Sequence, residues 1–116
     1  MKTNTDMTLY ARGIDSSLDE SWIRTAIKDV LWINETAVAD AIATNFVSVH
    51  VSTYNRTLPD IKPRDILVKG LCTKSINVAG YTMRTLQLNY ETVEVKSVVR
   101  HDYGSPGMQH IVIQAR

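Results

Sequence analysis

The sequence predicts an α+β domain: an N-terminal helix or helix pair packed on a small antiparallel β-sheet or barrel, which ends in a long C-terminal β-ribbon. Residues 15–46 carry apolar side chains at three- and four-residue spacing, the period of a helix face. From Val47 the period becomes two. The last quarter, Leu86 to Arg116, holds two apolar runs, Val93/Val95/Val98/Val99 and Ile111/Val112/Ile113, separated by the turn-rich stretch His101-Asp102-Tyr103-Gly104-Ser105-Pro106-Gly107.

Residues 1–6 form a polar tail, and Met7 to Gly13 suits a short strand or an ordered arm. Ser17 followed by Glu20 has capping-box spacing, and Asp19 places negative charge where a first helical turn exposes unpaired N–H groups. A helix is therefore expected to start there. Leu18, Trp22, Ala26, Ile27, Val30 and Leu31 would lie on its buried stripe. Asn34 resembles a second N-cap, with Val38, Ala41, Ile42 and Phe46 as the next apolar set, so the helix either kinks or is followed by another.

Val47, Val49 and Val51 alternate with Ser48, His50 and Ser52, the pattern of a half-buried strand. Pro59 and Pro63 mark a surface loop, Asp65 to Lys69 a short strand stopped by Gly70, and Thr73 to Thr85 a polar connection. Leu86, Leu88 and Tyr90 alternate on even positions while Val93 and Val95 are odd, which requires a turn or bulge between Asn89 and Thr92. Ribbon strands follow.

At 116 residues the chain is expected to be one domain, residues 1–116, with a helical part at 15–46 and a β part at 47–116. Thirteen basic side chains against twelve acidic ones leave a net charge of +1, which gives phosphate-backbone binding no bulk support. Cys72 stands alone, so neither an intrachain disulfide nor a two-thiolate metal site is available. The absence of a signal-like or membrane-length apolar run points to synthesis in the cytoplasm without membrane partners.

Three chemical patterns stand out. Asp60 with Glu94-Val95-Lys96 has the form of a Mg²⁺-dependent nuclease site, two carboxylates for the metal and a lysine for developing charge. Glu94 and Lys96 equally suit the solvent face of an alternating strand, and the helix expected after such a strand is missing. His50, His101 and His110 lack helical metal-ligand spacing, and His101-Asp102 has no activated Ser or Cys partner. Leu9-Tyr10-Ala11-Arg12-Gly13 before a helix suits the start of an RNA-recognition-like module, though a strand of stacking aromatics is absent; a small nucleic-acid-binding module of this or an OB-like kind is the alternative function. No catalytic, metal or cofactor set emerges. The expected working surface is instead an interface formed by the polar loop residues His101, Asp102, Tyr103, Ser105 and Pro106, with Trp32 divided between interface and core.

The order of parts, with Asp60-Ile61-Lys62-Pro63-Arg64-Asp65-Ile66-Leu67-Val68 followed by a strand, a tight polar turn and a closing ribbon to Arg116, resembles the small head-completion or head–tail connector proteins of tailed bacteriophages. The resemblance implies a non-enzymatic virion protein that forms a homo-oligomeric ring between portal or adaptor and tail proteins. Nucleic acid would then be a neighbour only by proximity.

Overall fold

The computed structural model of the protein describes residues 3–14, 20–54, 56–76, 80–102 and 104–116, with the side chains of Ile14, Glu20 and Pro106 excepted. Six strands, β1 (Thr5–Ile14), β2 (Glu20–Ala39), β3 (Ile42–Ser52), β4 (Ile66–Lys69), β5 (Thr92–His101) and β6 (His110–Ala115), close into a barrel in the order β1-β2-β3-β6-β5-β4. Every neighbouring pair is antiparallel. Among the described residues there is one short α-helix, α1 (Met83–Asn89), capped by the Thr82 side chain.

The fold is thus a β-barrel, and the expected N-terminal helix or helix pair over residues 15–46 is overturned: its described part is one long strand and the start of a second. The capping pair fails with it, since Glu20 opens β2 while Ser17, Leu18 and Asp19 lie outside the described residues. A β-bulge explains the false period. Met7 pairs with Ile27, but Thr5 pairs with Val30, so β2 holds one extra residue around Asp29, which adopts φ 58°. The Asp6 carboxylate accepts the Asp29 amide at 2.9 Å. Side chains facing the lumen are consequently odd-numbered at Ile27 and even-numbered at Val30 and Trp32, and a spacing of three imitates a helical stripe.

The second error follows from turn chemistry. Asp40 and Ala41 connect β2 to β3 with φ 51° and 62°, a two-residue hairpin turn with both central residues left-handed. Alanine supplies a dihedral that glycine or asparagine usually marks. Leu86 and Leu88 likewise belong to α1 and not to a strand, with Leu86 buried and Leu88 exposed.

The barrel interior contains Met7, Leu9, Ile27, Val30, Trp32, Val49, Val51, Leu67, Val95, Ile111 and Ile113. A second cluster, Tyr10, Ile66, Val68, Cys72 and Leu86, lies outside the β1–β4 wall, with Trp22, Ile76, Tyr81, Met83 and Tyr90 packed around it. The outer face of that wall is therefore covered by α1 and the segment before it. Asp65 secures the return into β4: its carboxylate accepts the Arg12 and Lys62 amides at 3.0 Å each, and Lys62 Nζ is 3.3 Å away.

Candidate interaction surface

Outside the barrel the strand pairing sets up rows of side chains across β2, β3, β6 and β5. Leu31 pairs with His50, His50 with Val112, and Val112 with Val99. The row beneath is Ile33, Ser48, Gln114 and Ser97, and the row above is Ser52, His110 and His101. None of these residues is Lys, Arg, Asp or Glu. No described helix covers this wall, in contrast to the β1–β4 side.

The three histidines form a stack. His110 lies 4.9 Å from His101 and 5.5 Å from His50 between ring centroids, with interplanar angles of 17° and 29°. His110 Nδ1 lies 2.9 Å from the Met108 carbonyl oxygen, tying the stack to the loop. Imidazole lone pairs lie in the ring plane, so near-parallel rings do not aim them at one point. Among the described residues no group of three His, Cys, Asp or Glu side chains is placed to hold a metal ion. His50 is shifted below the ordinary histidine range by burial first and then by His110, with Glu35 opposing and His101 reinforcing the shift.

The second feature is an arm. Pairing between β3 and β6 begins at Val47, and β1 pairs with β2 only up to Val30, yet β2 and β3 remain paired out to Ala39 and Ile42. Residues 34–46 therefore form a two-stranded hairpin standing clear of the barrel, roughly 17–20 Å long at strand rise. Positions 34–43 are all exposed, and the large apolar side chains Val38 and Ile42 are 71% and 68% exposed. The radius of gyration, 15.1 Å, exceeds the value of about 13 Å that size scaling gives a compact chain of this length.

The sequence-derived candidates separate. Trp32 is a core residue, 3% exposed, with its backbone N–H and C=O both hydrogen-bonded to the Asn4 side chain. His101 joins the stack. Asp102 is exposed and pairs with Arg100 at 3.2 Å, while the Ser105 carbonyl accepts the Met108 amide at 2.9 Å. Pro106 opens a short 3-10 turn, Pro106–Met108, and Tyr103 lies outside the described residues.

The nuclease trio does not assemble as a cluster: Glu94 pairs with Lys96, whereas Asp60 lines a separate cavity of about 480 Å³ with Arg56 and Arg100. Tyr10, the aromatic residue of the Leu9–Gly13 segment, is wholly buried. Its hydroxyl lies 2.5 Å from the Lys74 carbonyl and 3.3 Å from the Cys72 sulfur; burial, reinforced by Cys72, pushes its pKa upward. Cys72 is itself buried. The RNA-recognition-like topology is excluded with the helix after β1, because β2 follows instead.

Sequence reasoning missed the arm altogether. A hairpin centred on Asp40-Ala41 does place Thr36 opposite Asn45 and Val38 opposite Ala43, and the Thr36 hydroxyl donates to Asn45 Oδ1 at 2.8 Å. That cross-strand polar pair was the available signal. No curated protein and no solved structure matches the chain. Residues 2–116 match a single family throughout, and the protein belongs to it: DUF6751, a family of unknown function.

Proposed function

We propose that this protein is a structural subunit that assembles into a ring in a virion, of the head-completion or head–tail connector kind, and that it is not an enzyme. The observation carrying this reading is the β2–β3 arm, which extends beyond its own barrel with apolar side chains exposed. An isolated monomer gains nothing from such an arm, because exposed aliphatic groups contribute stability only when buried. Rings of identical subunits use heterologous contacts, in which a projecting element of one copy meets a different surface of the next. The outer wall of β2, β3, β6 and β5, whose central rows hold no Lys, Arg, Asp or Glu, supplies a further broad contact surface. Portal or adaptor and tail proteins would then lie above and below the ring.

The test is assembly. Replacing Thr36–Asn45 with Asn-Gly joins Glu35 to Phe46, which are already paired, through a favourable two-residue turn. The shortened chain is expected to melt like the parent but to remain a monomer by light scattering and form no rings by electron microscopy. A parent chain that is monomeric at every concentration, alone and with virion particles lacking it, would overturn the proposal.

A further inference from the structure

At the base of the arm lies a notch of about 420 Å³, walled by Ala37, Thr44 and Phe46 of the arm itself and by Lys96, Gln114, Ala115 and Arg116 at the barrel rim. Its walls combine small apolar surface with two cations. The arm tip has the complementary character: Val38, Ala39, Ala41 and Ile42 surround a single acidic residue, Asp40. Lys96 already pairs with Glu94 on its own strand, which leaves Arg116 at the rim as the further positive group facing the notch.

The arm also has open edges. Beyond Asn4, which hydrogen-bonds at Val30 and Trp32, the β1-side edge of β2 has no strand partner among the described residues, and neither does the β6-side edge of β3 at positions 42–46. Native edges are ordinarily protected by charge, proline or a bulge. Between Thr36 and Asn45 there is neither lysine nor proline, and the one charge is at the turn.

We infer that the arm tip of one copy seats end-on in the notch of a second copy, with Val38 on one face of the tip and Ile42 on the other covered by its walls and Asp40 meeting Arg116 and Lys96. This inference rests on the ring proposal and names the contact that closes it. Tip and notch are different surfaces, so the contact is heterologous, and repeating it around an axis generates a ring.

Cross-linking tests the contact directly. Asp40→Cys in a chain carrying one tag is mixed with Lys96→Cys in a chain carrying another, and oxidation should yield a disulfide heterodimer. Arg84→Cys on α1, paired with the same Asp40→Cys chain, should give none. The native Cys72 is 2% exposed and remains in place. In parallel, Val38→Asp with Ile42→Asp should weaken self-association at least about tenfold, because two aliphatic side chains lose their burial. Charge exchange supplies the specificity control: Asp40→Lys should impair assembly, and adding Arg116→Glu with Lys96→Glu should restore it.

The outcomes separate the two proposals. If light scattering shows oligomers but Asp40→Cys and Lys96→Cys do not cross-link, the tip–notch contact is wrong while the ring stands. Preferential cross-linking of Asp40→Cys to itself would mean that arms pair with arms, which also overturns the contact. A chain that neither oligomerises nor cross-links removes both.

Discussion

His101 and His110 face each other across the last two strands with ring centroids 4.9 Å apart, and His50 stacks on the far side of His110. Three groups that each become cationic on protonation thus share one small patch. Glu35, on the neighbouring β2, is the acidic group that favours the charged form of His50, and it also accepts a hydrogen bond from the Ser48 hydroxyl. Arg100 and Asp102 beside the stack neutralise one another.

This geometry predicts acid sensitivity. His50 is held below its ordinary value, so the folded chain resists a proton that the unfolded chain accepts near pH 6.5. Stability contributed by neutral His50 is present above about pH 6.5 and is lost as pH falls below that value towards the folded-state pKa. Melting temperature measured between pH 8 and pH 5 should decline over the lower half of that range, and His50→Gln should flatten the decline. An unchanged slope in the variant would remove His50 as the cause.

Asp65 offers a second test. Its fully buried carboxylate accepts two backbone amides, from Arg12 on β1 and from Lys62 in the loop before β4. Substitution Asp65→Ala leaves both donors without their acceptor, and each buried unsatisfied group costs about 1–3 kcal/mol. Urea unfolding should show a loss of that order or more, whereas Asp60→Ala on the exposed side of the same loop should be nearly neutral.

Legibility in the sequence tracked how regular each element is. Val47, Val49 and Val51 alternate without interruption, and they face the lumen of β3 as expected; Ile66 to Lys69 is a strand stopped at Gly70, whose φ is 89°. The closing ribbon of β5 and β6 is present too, with its loop at 102–109. What misled was irregularity, the Asp29 bulge and the glycine-free turn at Asp40-Ala41, both of which depend on backbone conformations that residue type reports poorly. The candidate surface was legible only in part. His101 was visible as a loop-base residue, but its stacking with His50 and His110 depends on bringing β3, β6 and β5 together.

The hairpin turn yields a third prediction. Ala41 occupies the left-handed region at φ 62°, where a Cβ is disfavoured and glycine is not. Ala41→Gly should therefore stabilise the arm by about 0.5–1 kcal/mol. Because residues 36–45 pair only with one another, the sensitive measurement is amide hydrogen exchange across them, which should slow by about two- to fivefold. Global melting should hardly move. Faster exchange would show that the turn is not strained.

The final prediction separates the barrel from a helix at a single pair of positions. On a helix Ile27 and Leu31 are four apart and share one face. In the barrel the Asp29 bulge intervenes: Ile27 points into the lumen at 2% exposure, while Leu31 lies on the outer wall beside His50, only half-buried. Ile27→Ala should cost about 2–5 kcal/mol, the range for emptying a packed core site. Leu31→Ala should cost about 1 kcal/mol or less, since its side chain retains solvent contact in the folded monomer. Its larger effect should appear in self-association, where the outer wall is expected to be covered. Equal destabilisation by the two substitutions would mean that both side chains share one core, which is incompatible with the observed register.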